Sequence, residues 1–224
     1  MSKGVGLRMV SPLLVILFFS GFVSAGLSFS IAYLMLVSFR AVRSAYLVGF
    51  PIGFSLLGMS YLFSGTQYVL SLSENLSNWL NLLLGLSGFS FLAITYLLKK
   101  KSVKWRFIST FPFLALLTLS VVAVGVVFAY DFPTSWYLSV ELEFHVLHLG
   151  LLGYIIYSLS QALRNEVELS SVVLGFTFLA IEQYSLLLWS LDRSFAWSFV
   201  FAQFIRLAGL VIFVIFIMKV FRRA

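Results

Sequence analysis

The sequence predicts an all-α membrane protein: seven transmembrane helices in an up-down bundle, N-terminus outside and C-terminus cytoplasmic. Three observations carry this. The 224 residues are 61% hydrophobic and 10% charged, with a mean hydropathy of +1.05, more apolar surface than a soluble domain of that size can hide. The apolar residues fall into seven runs, each close to or above the ~20 residues that a ~30 Å hydrocarbon core requires. The basic residues gather on alternate connections between those runs.

The spans are approximately 9–39, 44–63, 78–98, 105–130, 136–163, 169–191 and 195–220, within a single domain covering 1–224. The first, Met9–Phe39, has the look of a leader: Lys3 and Arg8 precede Leu13–Phe19, and Val23-Ser24-Ala25 resembles a small-residue cleavage site. Cleavage there would strand Gly26–Phe39, too short to span, so the run reads as one long helix, tilted or kinked near Gly21 and Gly26. Ser44–Phe63, Asn78–Leu98, Trp105–Tyr130, Trp136–Leu163, Leu169–Leu191 and Phe195–Val220 follow, separated by short polar breaks. Breaks that short hold neighbouring helices antiparallel.

Counting Lys and Arg by side sets the orientation. One side holds Arg40, Arg43, Lys99, Lys100, Lys101, Lys104, Arg106, Arg164, Lys219, Arg222 and Arg223, eleven in all, against Lys3, Arg8 and Arg193 on the other. Cytoplasmic loops carry the positive excess, so the eleven lie inside. This also explains the net charge of +7 without nucleic acid: the basic residues sit at helix ends beside anionic lipid. The sequon Asn75-Leu76-Ser77 falls on the outer side as a candidate glycosylation site. A repeat is visible in Phe50-Pro51, Phe111-Pro112 and Phe176-Thr177, and in Leu86-Ser87-Gly88-Phe89, Leu151-Leu152-Gly153-Tyr154 and Leu207-Ala208-Gly209-Leu210. It suggests three similar hairpins after a lone first helix. Small residues that let helices approach in lipid would look the same.

There is no cysteine, which removes disulfides and thiolate chemistry. Asn and Gln are also sparse, four of each, a pattern that points to a thermophilic prokaryote.

Ionisable residues inside spans are costly in lipid and therefore informative. They are Glu141, Glu143, His145, His148, Glu182 and Arg206, with Gln183 and Gln203 nearby. At ~1.5 Å per residue, His145 and His148 lie about 13–18 Å below the outer end, Glu182 roughly 13 Å and Arg206 about 16 Å. Three consecutive spans thus place polar groups in one slab. Glu141, His145 and His148 share a helical face by their i, i+4, i+7 spacing, and Glu143 points away. A network results, with Glu182 and Arg206 as its ion pair. Such a network can be pure architecture, a ligand or proton-responsive site, or a metal site; the last lacks any recognised ligand spacing. The candidate polar site is therefore Glu141, His145, His148, Glu182, Gln203 and Arg206, with no assigned catalytic residue, cofactor or metal.

Sharper identities fail on particular residues. A retinal Schiff base needs a mid-helix lysine, and the last span has only Lys219, at its cytoplasmic end. Two histidines on one helix cannot bracket a haem iron. No nucleotide-binding loop is present, and no nucleophile or acid–base pair is legible, so an enzyme is not expected.

Trp136 followed by His145-Val146-Leu147-His148-Leu149-Gly150-Leu151-Leu152-Gly153-Tyr154, and Phe204-Ile205-Arg206-Leu207-Ala208-Gly209 running into Phe221-Arg222-Arg223, resemble prokaryotic seven-helix modules found alone or fused to histidine kinases and cyclases as membrane sensors. The resemblance covers the last three spans. The sequence departs from the fused form in carrying no output domain after Val220, which implies signalling through a protein partner in the membrane or at the cytoplasmic face. The expected protein is a sensor-like or small-ligand-binding module of the cell membrane; a non-catalytic subunit of a larger complex, or a small proton-linked transporter, are the alternatives.

Overall fold

The computed structural model describes residues 12–42, 48–66, 74–100, 134–163 and 170–221. Among them are six α-helices and no strand: α1 (Pro12–Val42), α2 (Gly49–Thr66), α3 (Glu74–Lys100), α4 (Thr134–Leu163), α5 (Ser170–Leu191) and α6 (Ala196–Phe221). The expected fourth span, Trp105–Tyr130, lies outside the described residues, so α4, α5 and α6 correspond to the fifth, sixth and seventh sequence runs. Five of the six helices, all but α2, are long and apolar enough to cross a membrane. Among the described residues the protein is all-helical, and its five long apolar helices make it multi-pass.

Helix ends differ from the apolar runs for electrostatic reasons. α3 begins at Glu74 and runs to Lys100, so Asn75 falls in its first turn and not in the preceding connection. An acidic residue at the start of a helix and basic residues at its end suit the helix dipole. α1 likewise continues through Arg40 to Val42. Pro12 opens α1 and Pro51 lies in the first turn of α2, where a missing N–H costs nothing.

The helices form a closed ring: each packs on its neighbours in chain order, and α6 packs back on α1. Pairs of contacts give the directions. α1 and α2 are antiparallel, since Gly21 approaches Gly65 while Gly58 approaches Phe29. α2 and α3 are antiparallel too, through Gly49 beside Thr95 and Ser60 beside Asn81. So are α4 and α5, and α5 and α6, the last through Trp189–Phe199 and Phe176–Phe213. Two seams are parallel. Trp79 meets Phe144 and Phe89 meets His148 between α3 and α4; Ser20 meets Gln203 and Ser24 meets Arg206 between α1 and α6.

Polarity is inverted relative to a soluble bundle. On α6, Phe204, Val211 and Ile215 face outward while Gln203 and Arg206 are buried, as lipid on the outside and a polar centre require. Along the ring axis the interior has two zones. At one end lie the polar side chains. About two helical turns away, Phe54, Phe176 and Phe213 close the interior as a plug, with ring centroids 5.3 Å apart for Phe54–Phe213 and 4.8 Å for Phe176–Phe213. Of the repeated glycines, Gly88 and Gly209 sit at close helix crossings, whereas Gly153 meets nothing within 4 Å.

Candidate functional site

All six helices contribute to the polar zone. α4 presents Glu141, His145 and His148 on one buried face, with Glu143 exposed on the other. α5 turns two successive residues inward: Glu182 toward α6 and Gln183 toward α4, both buried. α6 supplies Gln203 and Arg206. The six residues singled out from the sequence are therefore all buried within one ring interior, while the side chain of Asn75 lies outside the described residues.

Two ion pairs organise the network. Arg206 Nη1 lies 3.5 Å from Glu182 Oε1. The rest of that guanidinium is also held: Nε donates to Ser24 Oγ at 2.9 Å, Nη2 donates to Gln203 Oε1, and the plane sits 4.5 Å from the Tyr61 ring centroid. Gln203 Oε1 also accepts from Ser20 Oγ at 3.2 Å. The second pair joins Arg193, in the turn between α5 and α6, to Glu141 at 2.5 Å. That guanidinium lies 3.5 Å over the Trp189 ring, and Trp189 packs on Phe199 at 4.6 Å. A stack of Arg193, Trp189 and Phe199 thus runs inward from the surface. Beside it the exposed Asp192 carboxyl accepts from the Ser194 backbone N–H at 2.9 Å, which holds it below the usual carboxylate range.

Between the two pairs, Gln183 Oε1 is 3.0 Å from His145 Nδ1 and 2.9 Å from His148 Nδ1. An amide oxygen only accepts, so each imidazole donates to it from Nδ1. His145 Nε2 lies 4.0 Å from Glu141 Oε1. The backbone of Leu82 also approaches the His148 ring, whose Nε2 makes no hydrogen bond of good geometry.

The centre of the network is a cavity of about 50 Å³, lined from α2, α3, α4, α5 and α6. Tyr61, His148 and Glu182 line it, and each carries a buried polar atom with no partner: the Tyr61 hydroxyl, His148 Nε2 and Glu182 Oε2. Buried polar atoms are nearly always satisfied, so three orphans on one cavity mark space for a ligand or water. Among the described residues, no group of three His, Asp or Glu stands where it could hold a metal ion.

Sequence reasoning missed several participants. Tyr61 looks like any aromatic in an apolar run. Arg193 counted only as a loop charge, although it follows Asp192 at a turn and reaches back to α4. Ser20 and Ser24 did leave a signal, an i, i+4 pair of hydroxyls on the first span. No family model, no curated protein and no solved structure matches this chain.

Proposed function

We propose that this chain is a sensor-like module of the cell membrane that binds a small polar ligand inside its helix ring and passes its state to a protein partner. The observation that carries the reading is the set of three unpartnered polar atoms around one cavity. A ligand held there would touch five helices at once, so its arrival biases their relative positions, which is the requirement for a transmitted change. The Phe54, Phe176 and Phe213 plug beyond the cavity favours a dead-end site over a path through the membrane.

Gly85 offers the test. A Cβ there would lie 3.3 Å from His148 Cε1 and 3.5 Å from Nε2, so Gly85→Ala puts a methyl group into the site. Alanine is the better helix former by about 1 kcal/mol, which offsets the tight contact. The variant is expected to melt within about 1 kcal/mol of wild type yet lose its ligand. Small molecules extracted from both proteins in lipid nanodiscs and compared by mass spectrometry decide it. A compound enriched with wild type supports the reading; identical extracts overturn it.

The same proposal includes seven crossings, with the N-terminus outside and the C-terminus cytoplasmic. The parallel α3–α4 seam supports it, since two parallel spanning helices need a return crossing between them. The run Trp105–Tyr130 has the length for that. A cysteine introduced near Lys101 is expected to be shielded in intact cells, and one near Thr134 to react with an impermeant maleimide. The opposite labelling pattern reverses the orientation.

A further inference from the structure

Resting on the ligand-site reading above, we infer that the cavity takes a neutral molecule bearing N–H donors and a carbonyl acceptor: the primary amide and urea class. Charge comes first. The network holds two carboxylates and two guanidinium groups, and each carboxylate already has its cation: Glu141 with Arg193 at 2.5 Å and Glu182 with Arg206 at 3.5 Å. Each histidine meets a neutral partner, Gln183, through Nδ1. An ionic ligand would bring an uncompensated charge into a buried interior, and a neutral one does not.

Hydrogen-bonding capacity comes second. Glu182 Oε2 offers lone pairs and no protein group fills them, so it needs a donor from the ligand, and His148 Nε2 beside it is also unpartnered. The Tyr61 hydroxyl, also unpartnered, can donate to the ligand's acceptor. A carboxylate or nitrate has no hydrogen to give and a ketone has none either. An amide carries both functions on one carbon. Size comes last. About 50 Å³, at roughly 10–15 Å³ for each water-sized atom, holds about three to five non-hydrogen atoms. Acetamide and urea are of that size.

The probes are size-matched. Acetamide is neutral with donors and an acceptor, acetate is anionic, acetone lacks donors, and guanidinium is cationic and lacks an acceptor. Binding to full-length protein in nanodiscs is read by saturation-transfer NMR on the methyl groups, with guanidinium added as a competitor. A ligand this small binds no tighter than roughly 0.1 mM, so probes are used at about 20 mM. Wild type is expected to saturate acetamide and leave acetate and acetone at background, with guanidinium failing to compete. Tyr61→Phe removes one hydroxyl that has no protein partner and keeps the ring beside Arg206. It should fold normally and weaken acetamide roughly fivefold, the size of one hydrogen bond. Gly85→Ala should abolish the signal. Acetate, acetone or guanidinium binding as well as acetamide overturns the inference, as does an acetamide signal that survives Gly85→Ala, or no signal with any probe. A compound still enriched with wild type over Gly85→Ala would then leave the ligand site standing with a different occupant.

Discussion

Glu182→Gln and Arg206→Gln are each expected to destabilise the protein by about 3–5 kcal/mol, and the double substitution by clearly less. Both side chains are almost completely enclosed, at 1% and 3% exposure, so whichever charge survives alone has neither water nor a counter-ion. Arg206 also anchors three other groups, Ser24 on α1, Gln203 on its own helix and the Tyr61 ring on α2. Its loss therefore loosens the α1–α6 seam as well as the pair. Unfolding of the purified variants in mild detergent, titrated with a denaturing one, measures the differences. Equal stability of the two single variants and the double variant would show that the pair is not coupled.

Gly21→Ala is expected to cost about 1–3 kcal/mol, while Gly26→Ala, five residues along the same helix, should cost nothing and gain up to about 1 kcal/mol. An added Cβ at Gly21 lies 2.6 Å from the Cα of Gly65 and 3.0 Å from the Tyr61 carbonyl oxygen, and at Gly26 it meets nothing within 4 Å. Backbone atoms cannot rotate away as a side chain can, so α1 and α2 must separate. In lipid that separation forfeits van der Waals packing, the main attraction between apolar helices there. Similar unfolding curves for the two variants would mean that the close crossing is not made in the bilayer.

Much of this architecture was legible because a bilayer simplifies the code. Twenty apolar residues in a row have few fates, and the runs beginning at Asn78, Trp136, Leu169 and Phe195 each coincide with a helix to within a turn or so. The i, i+4, i+7 spacing of Glu141, His145 and His148 fixed their common face, and arithmetic on helix rise put Glu182 level with Arg206. Gln183 shows where such reasoning stops. It stands one residue from Glu182, about 100° around the helix, and periodicity alone would make one of them face lipid. α5 is flanked on both sides inside a ring, so both are buried, and no feature of the local sequence says that a ring will close. Tyr61 and Arg193 are hidden for the same reason: their partners lie on helices distant in sequence.

The ring also has a history written into its order of synthesis. Glu182 leaves the ribosome before Arg206, its counter-ion, has been made. α5 cannot settle alone in hydrocarbon at low cost, so α5 and α6 should be delivered to the bilayer together as a hairpin across the short turn holding Asp192 and Arg193. α1, made well before α6, carries Ser20 and Ser24, whose partners Gln203 and Arg206 are on α6. Its polar face must therefore wait through the insertion of every helix between them.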